Sequence, residues 1–519
     1  MPIIPAKYNG KCKQCGRNLE IGQHIFWEHG QGAVCIPCYT NSGEVSSYRQ
    51  SWKDTSDIVI PAPDGLDYLP FQRAGIEFCI SRQNVLLADS MGLGKTVQAI
   101  GLINKLYAIN RVLVLCPASL RLNWKKELEK WLVRKRKILV LNANRFLNPS
   151  EWDIIITNYD IVHKHFEKLR RGNWDLLICD EAHYLKNKKA RRTKYVFGGG
   201  DIKEGIRAKR KLFLTGTPIE NNPGELWPLL NALRPDLFSN WWTFVQRYCG
   251  AYRDRFNQIK LGKPTNLDEL HDQLRTHVMV RRLKEQVLTE LPPKIRQVIE
   301  LPANGASSVV AAENTAWQTY EHLKGELASA VAEAEASEDP EVFSDRIKQL
   351  RYEERVAFGE IARRRKETAI AKIPYVLAHL DNVSEKVVVF AHHKDVIAAI
   401  AEKMGKKAVK LDGGTAKTAR QEAVDRFQSD PDIKCFIGSL TAAGVGITLT
   451  AASHVVFAEL DWVPGKVAQA EDRCHRISQK NSVLIQHLVF EDSLDCKMAK
   501  TIVEKQEMID QALDTGGTL

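Results

Sequence analysis

Apolar positions along the chain fall into two series of short runs. From Tyr68 to about Pro218 the runs NVLLA, RVLVLC, KILVL, WDIIIT, WDLLIC and KLFLT are each followed by a loop or a helical pattern. That alternation predicts a doubly wound parallel sheet. It returns with KVVVFA, KAVKLD, IKCFIG, SHVVFA and SVLIQHLV, which predicts a second parallel sheet. Residues 219 to 300, with WPLLNALRPDLF and NWWTFVQRYCGAY, change character and predict a mainly helical insertion ending at LTELPPKIR. Residues 308 to 380 are rich in Ala, Glu, Arg and Lys and poor in Gly and Pro, which predicts long exposed helices. A packing helix is expected from Ser493 to about Leu513.

At 519 residues the chain is too long for one ordinary domain and suits two lobes of roughly 200 residues each plus additions. The formal net charge of +11 fits either a polyanionic partner or a merely basic enzyme. The opening MPIIPAKYNG lacks a signal pattern, and no run approaches the roughly 18 apolar residues of a membrane span. A soluble, intracellular protein is expected, cytoplasmic or nuclear according to the organism.

Chemistry concentrates first in LLADSMGLGKT, an apolar strand running into a Gly-rich turn and then a helical pattern. Gly92 and Gly94 let backbone N–H groups approach phosphate oxygens, Lys95 reaches the β and γ phosphates, and Thr96 can ligate Mg²⁺. Asp89 stands where the simplest phosphate-loop pattern has its first glycine. Some 85 residues on, WDLLICDEAH places Asp180 and Glu181 at the end of an apolar strand. Adjacent carboxylates there divide two tasks: Asp180 holds Mg²⁺ through water and Glu181 orients and deprotonates the attacking water. Thr215, Gly216 and Thr217, after KLFLT, suit a link from the γ-phosphate position to the other lobe. In QAEDRCHRISQ, Gln469, Arg473 and Arg476 recur at spacings of four and three, one face of a helix. Such a face is either simply solvated or delivers arginines to a transferring phosphoryl group, an effect worth about 10³- to 10⁵-fold in rate.

Cys12, Cys15, Cys35 and Cys38 form C-x₂-C-x₁₉-C-x₂-C, a pattern able to close a tetrahedral, structural zinc site in a head too small to fold well alone. The basic runs LVRKRKI (132 to 138) and LKNKKARRTK (185 to 194) are read as solvated faces, phosphate-tracking surfaces or an import signal.

In order, PFQRAGIEF, LADSMGLGKT, LCPASLRLNW, ITNYD, DEAH, LTGTP, LDGGTAKTARQEAVDRF, TAAGVGITLTAASHVVFAELDWVPG and QAEDRCHRISQ resemble the motif set of the Swi/Snf-type ATPases over about residues 66 to 515. PFQRAGIEF, RRLKEQVLTELPPKIR, VVFAELDWVPG and QAEDRCHRI are most similar to the HARP-like (HepA-related) annealing-helicase branch. The resemblance implies an α/β fold of two RecA-like lobes and an ATP-dependent motor on double-stranded DNA. It implies that Gln72 reads the adenine edge, that Asp89, Met91, Gly92, Leu93, Gly94, Lys95, Thr96, Gly446 and Gln469 line the nucleotide, and that Arg473 and Arg476 are arginine fingers. DNA contacts are implied near Ser119, Asn158, Thr441 and Trp462. The expected division is a zinc-binding module (1 to 45), a polar linker (46 to 65), lobe 1 with its insertion (66 to 300) and lobe 2 with its helical insertion and C-terminal helix (301 to 519). A strand-separating DNA or RNA helicase and a zinc-headed nucleic-acid or protein-binding scaffold are the competing readings.

Overall fold

A computed structural model of the chain describes residues 3–5, 8–13, 18–19, 24–28, 32–35, 48, 50–144, 148–254, 258–288, 290–336, 340–440, 447–461, 463–477 and 479–498. Seven strands, all parallel, make the first sheet, in the spatial order Met279–Val280, Asn84–Leu87, Ala208–Leu214, Trp174–Asp180, Val112–Cys116, Ile154–Asn158, Ile138–Val140. Leu86, Leu113, Leu115 and Leu177 face one core. Val85, Leu87, Val112, Val114 and Ile178 face another on the opposite side. Successive side chains of a strand point to opposite faces, so burial on both faces demands the uninterrupted apolar runs.

The second sheet has six parallel strands in the order Lys294–Leu301, Val483–Phe490, His454–Phe457, Val387–Ala391, Cys435–Ser439, Ala408–Leu411. It too separates two cores, Val388 and Phe390 on one side, Val387 and Val389 on the other. Helices Ser307–Ala336 and Ser344–Asp381 pair as a long hairpin. One end holds its own small core of Ala330, Ala334, Ile347 and Leu350, and at the other Ala369, Val376 and Leu380 pack under the second sheet. Leu494 and Met498 enter that lobe's core, while residues 499–513 of the expected packing helix lie outside the described residues.

Three features differ from the pattern-based expectation. The insertion at 219 to 300 does contain helices, Trp227–Leu233, Trp241–Cys249 and Leu267–His277, but then returns two residues, Met279–Val280, to the edge of the first sheet. The next strand, Lys294–Leu301, runs across the expected lobe boundary at 300 and pairs with Val483–Phe490 in the second sheet. Part of the expected polar linker is docked on lobe 1. Ser51 and Ser56 are buried, Ile60 joins the lobe 1 core, and the Arg275 guanidinium stacks 3.8 Å over the Trp52 ring. The physical reason is an in-out alternation inside a polar stretch: Ile58 and Ile60 pack inward and Val59 points to solvent.

In the head, Ile3–Pro5, His24–Glu28 and Gly32–Cys35 form an antiparallel sheet, and Gly10–Lys11 pairs with Asn18–Leu19. The Lys13 amide donates to Ala33 O at 3.0 Å, which brings the segment after Cys12 beside the segment before Cys35. Cys12 is buried; Cys15 and Cys38 lie outside the described residues, as does the side chain of Cys35. Among the described residues no cluster of three or more His, Cys, Asp or Glu is placed to hold a metal ion.

Asp89 closes the first lobe. Its carboxylate accepts from Arg282 Nε (2.9 Å), Nη2 (2.6 Å) and backbone N (3.0 Å), and from Gln98 Nε2 (2.9 Å), all of it buried. This ties the turn after Asn84–Leu87 to the chain leaving Met279–Val280. Removing one partner of a buried ion pair strands the other charge in a dry site, so Arg282→Met is expected to destabilise lobe 1 by about 3–5 kcal/mol, measured as a shift in its denaturant unfolding midpoint.

Candidate active site between the lobes

The carboxyl ends of the first sheet's strands carry the site. After Asn84–Leu87 the chain turns through Gly92 (φ +86°) and Gly94 (φ +72°) into helix Lys95–Lys105. Both glycines take the left-handed conformation that a side chain resists. Gly94 has a second reason: a Cβ there would stand 2.5 Å from Gln72 Nε2. Gln72 accepts from the Leu69 amide at 3.0 Å and donates to Leu93 O at 3.3 Å, so its amide is held against the turn. Lys95 Nζ donates to Asp89 O (2.7 Å) and Ser90 O (3.2 Å), carbonyls of the same turn. Burial lowers the Lys95 pKa, and Glu181, Asp89 and Asp180 oppose that shift. Asp89 reaches this turn through its carbonyl alone, since its carboxylate is taken by Arg282 and Gln98.

Asp180 ends strand Trp174–Asp180, in register with Leu214, which is in turn beside Leu87. Trp124 Nε1 donates to Asp180 Oδ2 at 2.7 Å, the Glu181 amide to Oδ1 at 3.0 Å, and the Tyr159 hydroxyl to Asp180 O at 2.7 Å. Burial, and then the neighbouring Glu181 carboxylate, raise the Asp180 pKa against the pull of Trp124 and Lys95. A desolvated carboxylate beside a second one has the chemistry of a site that accepts a divalent cation. Glu181 sits at φ +49°, a left-handed conformation uncommon outside glycine and typical of functional turns. Its Oε2 is buried without a hydrogen bond, 3.4 Å from His183 Nδ1.

His183 is a site residue that the sequence analysis does not single out. Its Nδ1 also lies 3.2 Å from Thr215 Oγ1, and that hydroxyl accepts from the Thr217 amide at 3.2 Å. The turn 215–217 spans the cleft: a Cβ on Gly216 would meet Met91 Cγ at 2.5 Å and Lys95 Nζ at 3.3 Å, while one on Gly465 of the second lobe would meet Thr217 Cγ2 at 3.2 Å.

Across the cleft, helix Pro464–Glu471 presents Gln469, whose Nε2 lies 3.4 Å from Glu181 Oε1. The expected single helical face carrying Gln469, Arg473 and Arg476 is corrected here, because the helix stops at Glu471 and both arginines sit in the turns beyond. Beyond Glu471 the chain tightens into i→i−3 bonds, Arg473 N to Ala470 O (3.1 Å) and Cys474 N to Glu471 O (3.1 Å), and the carbonyls that follow are taken by other donors: Arg473 O by the Leu449 amide (2.9 Å), Cys474 O by Gln479 Nε2 (3.1 Å) and His475 O by Lys284 Nζ (2.7 Å). Arg473 is buried and donates to Ile447 O at 3.4 Å. Burial pushes its pKa down to about 9, with Arg476 adding and Glu181 opposing. Arg476 donates to Asp472 O (3.1 Å) and Thr448 Oγ1 (2.7 Å). Its Cγ would lie 3.4 Å from a Cβ on Gly92, so the second lobe's arginine reaches the phosphate turn of the first.

Of the other expected site residues, Met91 and Leu93 are buried in the phosphate turn. Gly446, Thr441 and Trp462 lie outside the described residues. Ser119 is exposed in the turn Ala118–Leu120, whereas Asn158 on the neighbouring strand is buried with its amide 3.4 Å from Asp160 Oδ2. The basic run at 185 to 194 is partly structural: Lys186 pairs with Glu220 and Glu225, and Lys188 Nζ lies 3.4 Å over the Trp241 ring. Among the described residues no helix is long and apolar enough to cross a membrane.

Residues 71–338 match the SNF2-related domain, and residues 368–478 match the helicase conserved C-terminal domain. The chain is 36% identical over 471 residues to "DNA annealing helicase and endonuclease ZRANB3" of Homo sapiens, covering 87% of this chain and 40% of that protein. It is 36% identical over 477 residues to "SWI/SNF-related matrix-associated actin-dependent regulator of chromatin subfamily A-like protein 1" of Xenopus tropicalis, covering 91% of this chain and 47% of that one. It therefore spans less than half the length of either relative. The solved "Sulfolobus solfataricus SWI2/SNF2 ATPase core in complex with dsDNA" aligns with 89% of this chain and 100% of its own at 23% identity, with a TM-score of 0.42. With more than half of its residues inside the first of these domains and the second following in order, the chain belongs to the SNF2-related family.

Proposed function

We propose that this protein is an ATP-hydrolysing motor that moves on double-stranded DNA and remodels or reanneals DNA or DNA–protein structures in replication or repair. The observation that carries the reading is the shared cleft, in which Gln469 meets Glu181 and Arg476 meets Gly92 across the lobes. A triphosphate held by the turn around Gly92 and Gly94 would draw Lys95 from the carbonyls of Asp89 and Ser90. Bound with ATP at Asp180 and Thr96, Mg²⁺ would neutralise phosphate charge. Glu181, with one buried oxygen lacking a hydrogen bond and the other facing Gln469, is built to orient water and take its proton. Arg473 and Arg476 belong to the second lobe, so turnover becomes conditional on closure, and closure becomes motion along the bound strand. The annealing branch is favoured by the 36% identity to a DNA annealing helicase and endonuclease over 87% of this chain. Exposed Ser119 and the exposed cations Lys189 and Arg191 are the described surface best suited to the DNA backbone.

The test is ATP turnover titrated with duplex DNA, forks, single strands and RNA. Duplex or forked DNA should stimulate best, with stimulation falling steeply as salt rises. Strongest stimulation by RNA would overturn the DNA reading. In the same assay Glu181→Gln should bind ATP and lose turnover by about 10²- to 10⁴-fold.

We further infer a structural zinc ion held by Cys12, Cys15, Cys35 and Cys38. The pairing of Lys13 with Ala33, which draws the two cysteine-bearing segments together, supports it. Metal analysis should find zinc in the intact protein, and a chelator should unfold the head while basal ATP turnover persists. Intact protein devoid of zinc would remove this assignment.

A further inference from the structure

One stretch of chain, Arg281 to Arg296, passes from the first lobe to the second, and its cations grip both sides of the cleft. On the first lobe, Arg281 Nη1 donates to Ala88 O (2.9 Å) and Gly216 O (3.1 Å), and Arg282 holds Asp89. On the second, Lys294 Nζ pairs with Asp472 Oδ1 (3.1 Å) and Glu471 Oε2 (3.3 Å), Arg296 forks onto Glu471 (2.9 and 2.6 Å), and Pro292 O lies 2.7 Å from His475 Nε2. Between these anchors stands Lys284, buried, with its Nζ 2.7 Å from Asp472 Oδ1 and 2.7 Å from His475 O.

Lys284 is two residues beyond Arg282 and so is fixed to the first lobe, while both of its acceptors belong to the turn that carries the arginines. The residue whose carboxylate takes Lys284 also offers its carbonyl to Arg476 Nε at 3.1 Å. A Cβ on Gly92 would meet Lys284 Cε at 3.3 Å and Arg476 Cγ at 3.4 Å, so the lysine stem and the arginine stem lie together on the phosphate turn. We propose that Lys284 is a positioning residue: by holding Asp472 and His475 O it sets the turn bearing Arg473 and Arg476 at the height of the phosphate turn when the lobes meet.

Electrostatics agree with the geometry. Burial pushes the Lys284 ammonium down to about 8 although Asp472 opposes the shift, with Lys294 and Arg476 adding to it. Burial would raise the Asp472 carboxyl, but Lys294 and Lys284 overcome it and hold the group well below the usual carboxylate range. A charge pair this dry holds its geometry closely, and misplacing a reacting group by about 1 Å can cost about 10²-fold in rate.

The inference rests on the ATPase reading, and the experiment separates the two. Steady-state turnover is measured for wild type, Lys284→Met, Lys284→Arg, Asp472→Asn and the Lys284→Met/Asp472→Asn pair, with affinity for a fluorescent ATP analogue and the thermal midpoint recorded for each. Lys284→Met should lower kcat by about 10- to 100-fold while the analogue's Kd changes by less than about 3-fold, since the lysine acts on the arginines rather than on bound nucleotide. Lys284→Arg should restore most of the rate, and the double variant should be no slower than the worse single one, as expected for one coupled pair. Turnover by Lys284→Met within about 2-fold of wild type, losses that multiply in the double variant, or a loss expressed mainly in Kd would overturn the positioning role. Should Lys284→Met fail to fold, a full-rate Asp472→Asn overturns it equally. Wild-type protein that hydrolyses no ATP under any nucleic acid condition would sink the ATPase reading itself, and this inference with it.

Discussion

A charge taken out of water costs several kcal/mol unless an opposite charge and hydrogen bonds meet it, and Asp89, Asp180, Glu471 and Asp472 are all buried in or beside the elements that line the cleft. Three of the four are met by cations from a single stretch of chain: Arg282 on Asp89, Lys294 and Arg296 on Glu471, Lys284 and Lys294 on Asp472. Moving any of these elements away strands a carboxylate. The phosphate turn of one lobe and the arginine turn of the other are therefore fixed by the same requirement. Asp180 is the exception, since it has the Trp124 indole and a backbone amide for partners and faces Glu181. Asp180 is thus the one of the four whose negative charge no ion pair among the described residues offsets.

The same economy explains why a glycine is dispensable at position 89 but not at 92 or 94. Position 89 offers the turn a carbonyl and sends its side chain into the lobe, toward Arg282. At 92 and 94 the backbone is left-handed and the neighbours are close: Lys284 and Arg476 over the first, Gln72 over the second. A side chain at either would be strained and would push back the residues that close the site.

What the sequence discloses is what local physics dictates. Central parallel strands must be apolar on both faces, so NVLLA, RVLVLC, WDLLIC and KVVVFA declare themselves, and with them the turn that leads to Lys95 and the strand end that carries Asp180 and Glu181. The two-residue edge strand Met279–Val280 has no such pattern, because its place is fixed by pairing with Leu86 and Leu87. The docked stretch hides the three-residue alternation Ile58, Val59, Ile60 among polar neighbours. Lys284 and Asp472 lie far apart in the chain, and a lysine in RRLKEQV carries no local mark of burial. Helical spacing predicts one face for Gln469, Arg473 and Arg476, but after Glu471 the backbone tightens into i→i−3 turns, with Arg473 N on Ala470 O and Cys474 N on Glu471 O, which no residue spacing discloses. Both a helix and the observed turns bring these residues to the cleft.

Ending the helix at Glu471 also has a mechanical consequence. A continuous helix would carry Arg473 and Arg476 as rigid extensions of the second lobe, moving only as that lobe moves. In the observed turn each is held by a different contact: Arg476 by Asp472 O and Thr448 Oγ1, and the Arg473 backbone by Leu449. His475 and Asp472 in turn answer to the crossing chain through Lys284. The arginine turn is thus tied both to residues 447–449 and to the connection between lobes. Displacing either contact would shift the guanidinium groups relative to Gly92 while both sheets stay intact, so the placement of the arginines answers to two contacts rather than to one rigid helix.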